Sequence, residues 1–162
     1  MLRKLAPVLF VLGTVAFGAA CTPSSEARAE TPAAAKPASA APGKARAEGQ
    51  GFIVEVTPPD AVKVGVEAKA KVVLKPTAPY HVNKDFPTQL TVTPPAGVDV
   101  AKAKQKPEDA AKFEEDGAVF EVVFTPREAG DKRFEAAFKF AVCTTETCDP
   151  KSEKLAWTVP VK

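Results

Sequence analysis

From Phe52 onward the apolar residues of this chain fall on every second position. Phe52, Val54 and Val56 alternate with Ile53 and Glu55, and Ala68, Ala70, Val72 and Leu74 alternate with Lys69, Lys71 and Lys75. A period of two sends successive side chains to opposite faces, so each such run buries one face and wets the other as an antiparallel strand does. The pattern returns at Leu90 and Val92, at Phe120, Val122 and Phe124, at Phe134, Ala136, Phe138 and Phe140, and at Leu155, Trp157, Val159 and Val161. A seventh, shorter strand is expected around Tyr80 to Val82. Pro58-Pro59, Pro76, Pro94-Pro95-Ala96-Gly97, Pro126 and Gly130-Asp131 read as the turns between runs. Only Pro107 to Phe113 reads as a helical turn, with Pro107 suited to its first position.

Six or seven short strands separated by Pro and Gly turns predict an all-β fold, an immunoglobulin-like antiparallel β-sandwich. Phe120, Phe124, Phe138, Phe140 and Trp157 are expected inward, with Phe134 in the same aromatic stripe, and the lysines Lys69, Lys71 and Lys75 outward. The stripe reads as core and not as a cofactor site. An antibody-like disulfide between distant strands is not expected, because Cys143 and Cys148 are only five positions apart.

The apolar and aromatic residues divide the chain into three segments. Residues 51 to 162 hold eight of the ten phenylalanines with Tyr80 and Trp157. At 112 residues this segment is long enough for one core. Residues 22 to 50 contain no aromatic residue, and Ala and Pro supply 14 of these 29 positions. Pro32, Pro37 and Pro42 interrupt any helix there, so residues 21 to 50 are expected to be a disordered tether with a reach of roughly 30 Å.

Residues 1 to 20 read as a signal peptide. Arg3 and Lys4 precede an apolar run from Leu5 to Phe17, and Gly18, Ala19 and Ala20 supply small residues for cleavage. The run is shorter than the roughly 20 residues a membrane span needs. The whole chain carries 22 basic and 20 acidic residues; without Arg3 and Lys4 the charges balance, which gives no electrostatic basis for nucleic-acid binding. Phe17-Gly18-Ala19-Ala20-Cys21 resembles the lipobox of bacterial lipoproteins, and that resemblance implies lipidation at Cys21. Ordinary signal-peptidase cleavage after Ala20 is the alternative, leaving Cys21 a free thiol. The expected location is the bacterial cell envelope, lipid-anchored and facing the periplasm, with the choice of inner or outer membrane left open.

Residues for common catalysis are scarce. His81 is the only histidine and Ser152 the only serine beyond residue 50, and no G-x-S-x-G, phosphate-binding loop or H-E-x-x-H occurs. Glu114, Glu115 and Asp116 stand before Gly117 as a solvated turn would. Cys143, Cys148, His81 and Asp149 have the chemistry to ligate copper or zinc. However, His81 lies far from the cysteines in sequence, and neither a metal nor a cofactor is expected.

The informative pair is Cys143-Thr144-Thr145-Glu146-Thr147-Cys148, between the last two strands. In an oxidising compartment these cysteines are expected to join. A bridge over so short a loop stabilises by only about 2 kcal/mol through chain entropy. A bridge near an exposed turn is also the kind that is readily reduced. Glu146 and Asp149 oppose this by disfavouring a thiolate, so residue chemistry leaves structural and redox roles both open.

Tyr80-His81-Val82-Asn83-Lys84, Leu90-Thr91-Val92-Thr93-Pro94-Pro95-Ala96-Gly97-Val98, Phe120-Glu121-Val122-Val123-Phe124 and Phe138-Lys139-Phe140-Ala141-Val142-Cys143 with Cys148-Asp149-Pro150 follow in order. Over most of residues 51 to 162 this resembles the periplasmic N-terminal domain of the thiol:disulfide interchange protein DsbD family. The resemblance implies an immunoglobulin-like sandwich with Cys143 and Cys148 as its exchange pair. It also implies a thioredoxin-like or membrane thiol-redox protein as partner. The family's cap segment is replaced here by Pro107 to Phe113. The alternative function is a non-enzymatic binding or envelope-interaction module with a structural disulfide.

Overall fold

The computed structural model describes residues 44–162. The signal peptide, Cys21 and most of the tether lie outside the described residues. Eleven strands follow in chain order: β1 (Arg46–Gly49), β2 (Phe52–Thr57), β3 (Ala68–Pro76), β4 (His81–Val82), β5 (Gln89–Thr93), β6 (Val98–Val100), β7 (Lys104–Gln105), β8 (Lys112–Glu114), β9 (Gly117–Pro126), β10 (Gly130–Cys143) and β11 (Cys148–Val161). Among the described residues one 3-10 turn, Pro107–Asp109, lies between β7 and β8.

All strand pairs are antiparallel, in two sheets. One sheet runs β1-β2-β3-β9-β6 with β8 also on β9; the other runs β11-β10-β5-β7 with β4 also on β10. The strand orders β2-β3-β9-β6 and β11-β10-β5 reproduce the A-B-E-D and G-F-C sheets of the immunoglobulin arrangement. The fold is therefore an immunoglobulin-like antiparallel β-sandwich.

Alternation in the sequence becomes burial in the fold. Along β3, Ala70, Val72 and Leu74 are buried while Lys69, Lys71 and Lys75 are exposed. Phe120, Phe124, Phe134, Phe138, Phe140 and Trp157 are all buried. Three aromatic pairs cross between the sheets, Phe52 with Phe140 at 5.0 Å, Phe120 with Phe138 at 5.5 Å and Phe124 with Phe134 at 4.8 Å between ring centroids. Edge and tilted packing of this kind adds to the area term for each pair. The core thus runs the length of the sandwich without help from a covalent link.

Four readings from sequence change. Strand β1 begins inside the segment expected to be tether, with Ala45 O accepting from Val56 N–H at 2.7 Å beside the β1–β2 ladder. Gly130-Asp131 is not a turn but the start of β10, paired with Val161 and Pro160. The helical turn stops at Asp109, because Ala111 N–H donates to Val119 O at 2.8 Å and the sheet then captures Lys112–Glu114. Short strands β6 and β7 occupy a stretch given no structure from sequence. Among the described residues no helix is long and apolar enough to cross a membrane.

Candidate functional site

Cys143 ends β10 and Cys148 begins β11, and the two stand directly opposite in the ladder. Their Cα atoms are 4.0 Å apart and the sulfurs are bonded at 2.00 Å. The turn between them is held by other atoms. Thr144 N–H donates to Thr147 O at 2.8 Å, and Thr144 Oγ1 accepts from the N–H groups of Glu146 and Thr147 at 3.2 and 3.1 Å. Threonine here makes the short side-chain-to-backbone bonds that favour turns.

On its other flank Cys143 pairs with His81 of β4, so His81, Cys143 and Cys148 form one row across three strands. Directly opposed residues share a face. Val142 points into the core, which sets its neighbour Cys143, and with it the whole row, on the outer face of the sheet. The two cysteines differ sharply in access: Cys143 is 3% exposed, whereas Cys148 is open to solvent.

Asn83 extends the β4 ladder by one residue, its N–H donating to Ala141 O at 3.0 Å. Its Oδ1 accepts from the N–H groups of Asp85 and Phe86 at 2.8 and 3.1 Å, a local turn that fixes the side chain. With the carboxamide so held, Nδ2 donates across β10 to Cys148 Sγ at 3.5 Å. A cleft of ≈ 240 Å³ opens over this arrangement, with His81, Asn83, Lys84, Asp85, Glu115 and both cysteines in its lining.

The surrounding charge is mostly acidic. Lys84 bonds Glu114 of the β8–β9 hairpin at 2.9 Å, and that hydrogen bond and the Glu114 charge raise the Lys84 pKa. Asp149 pairs with Lys151. Glu115 and Asp116 form an exposed turn, as expected, while Glu114, also exposed, is the last residue of β8. Phe113 packs edge-on against Phe120 at 6.4 Å between centroids and is absent from the cleft over the disulfide. Among the described residues no three His, Cys, Asp or Glu side chains are grouped to hold a metal ion.

The structure therefore joins Cys143 and Cys148 and brings His81 beside them. Asn83 carried no role in the sequence reading. Its signal was only its place two residues after His81 in a short strand.

The chain matches no protein-family model and no curated protein. Solved structures do match. Native alpha-2-macroglobulin from Escherichia coli, from domain MG7 to the C-terminus, is 12% identical with a TM-score of 0.45, over 68% of this chain and 16% of that one. The cohesin module of a Clostridium perfringens family 33 glycoside hydrolase is 12% identical with a TM-score of 0.38, over 70% of this chain and 98% of that one. AggA, the major subunit of Escherichia coli aggregative adherence fimbriae type I, is 10% identical with a TM-score of 0.37, over 68% and 95%.

Proposed function

We propose that the chain is an envelope lipoprotein, anchored through Cys21, whose β-sandwich exchanges disulfides through Cys143 and Cys148. The partner is a thioredoxin-like or membrane thiol-redox protein, as the DsbD-like sequence pattern implies. The observation that carries this reading is the unequal access of the two sulfurs, one buried and one open in a cleft. Exchange needs one sulfur that an incoming thiolate can reach and a second that can leave.

A partner thiolate attacks Cys148 Sγ; the Cys143–Cys148 bond breaks, a mixed disulfide forms on Cys148, and Cys143 leaves as a thiolate that takes a proton. The partner's second thiolate then attacks its own sulfur in the mixed disulfide and releases Cys148. Two electrons and two protons have passed from the partner dithiol to this pair, and the partner is left as a disulfide. Run backwards, Cys148 attacks a partner disulfide and Cys143 resolves it.

The acidic side chains Asp85, Glu115, Glu146 and Asp149 around the pair favour the second reading, a binding module with a structural bridge, because they disfavour a thiolate. Trapping separates the two. With Cys143→Ser, an exchange domain accumulates a mixed disulfide on Cys148 with a thioredoxin-like protein, whereas a structural bridge traps nothing.

A further inference from the structure

We infer that Asn83 is a positioning residue for this exchange, one whose carboxamide N–H stabilises the thiolate of Cys148 and so makes Cys148 the reacting sulfur. The inference rests on the exchange reading of the pair. Its own support is the geometry of one side chain. Oδ1 is engaged by the N–H groups of Asp85 and Phe86, so the amide plane and the directions of the two Nδ2 N–H bonds are fixed. One of them donates to Cys148 Sγ, 3.5 Å away and on the far side of β10.

The contact crosses β10 obliquely, from Asn83, opposite Ala141, to Cys148, opposite Cys143. In the disulfide the contact is weak, since a bonded sulfur is a poor acceptor. Once Cys148 is released as an anion the same N–H becomes a charge-assisted donor, and bonds of that kind are roughly twice as strong as neutral ones. The stabilisation is thus realised mainly when Cys148 carries charge, as it does on leaving the mixed disulfide and on attacking a partner.

Lys84, the one lysine in the lining of this cleft, is paired with Glu114, and the side-chain donor that reaches the Cys148 sulfur is the neutral amide of Asn83. His81 lies in the same row but adjoins the buried Cys143.

The test uses the full chain carrying Cys143→Ser, and measures iodoacetamide alkylation of Cys148 against pH. Mass spectrometry of the peptide Phe140–Lys151 keeps Cys21 out of the reading. Asn83→Ser retains a short oxygen that can accept the turn's N–H groups but has no amide to reach the sulfur. It is expected to raise the apparent thiol pKa and to lower the alkylation rate at pH 7 about five- to tenfold. Asn83→Ala should do the same. An unchanged rate and pKa in either folded variant overturns the inference.

A control comes from Cys148→Ser, in which Cys143 should react slowly and be indifferent to Asn83. If Asn83→Ser slowed Cys143 equally, Asn83 would act on the loop and not on the Cys148 sulfur, and the inference would fail. Failure of the exchange reading shows separately, as an absence of trapped partner on Cys148 while its thiol pKa still responds to Asn83.

Discussion

Cys143 is hemmed in by His81 on one strand and Cys148 on the other, whereas Cys148 has β10 on one side and solvent on the other. That difference comes from strand order and not from spacing, which is why the cysteine pair was legible in the sequence but the division of labour was not. The Asn83 contact spans 65 positions along the chain, and no local pattern announces it. Glycine at 117 shows the same dependence on tertiary neighbours. It has φ of 150°, and a Cβ there would meet Leu74 O at 2.7 Å. Gly117→Ala is therefore expected to destabilise by about 1 to 3 kcal/mol, read as a lower urea midpoint; an unchanged midpoint would show that β3 and β9 can part without penalty. Phe138, buried against Phe120 and Phe140, should cost about 3 to 5 kcal/mol on truncation to Ala by the same measurement.

Strands with a full apolar face declared themselves, because burial on one side forces alternation. The strands that sequence reading missed have other reasons to exist. Strand β1 is Arg-Ala-Glu-Gly, largely exposed, and is held by its backbone ladder to β2 and by Arg46 on Glu55. Strands β8 and β6 pair with the two ends of β9, at Gly117 to Val119 and at Phe124 to Pro126, and β7 pairs with Leu90 and Thr91 of β5, so each short strand follows its partner and not its own composition. The ion pairs on the outer face of the first sheet give a pH prediction. Hydrogen bonding from Lys75, aided by Arg46, lowers the Glu55 pKa below its ordinary 4.5, and Lys69 does the same for Glu121. A carboxylate whose folded pKa is depressed stabilises the fold above its unfolded pKa, and that contribution disappears as pH falls through the folded value. The urea midpoint should be level from pH 8 to pH 6 and decline below about pH 4.5; because these groups are exposed, the decline should shrink in high salt. A midpoint that holds to pH 3 would mean that the pairs contribute nothing.

Taken whole, the molecule keeps its stability and its chemistry in different places. Aromatic pairs join the two sheets along the core, while the disulfide sits on an outer face at the end of one hairpin whose turn Thr144 already holds. Reduction should therefore leave the sandwich folded, with far- and near-ultraviolet circular dichroism close to those of the oxidised protein; loss of the near-ultraviolet signal would show that the bridge is structural. On the lipoprotein reading, Cys21→Ser should move the protein from the membrane to the soluble fraction without changing those spectra. The exchange role depends most directly on the reduction potential of the Cys143–Cys148 pair, measured by equilibration with a glutathione or dithiothreitol redox buffer. A value between about −120 and −270 mV, where disulfide-exchange proteins lie, is expected, and a value below about −300 mV would overturn the exchange role by assigning the bridge to structure.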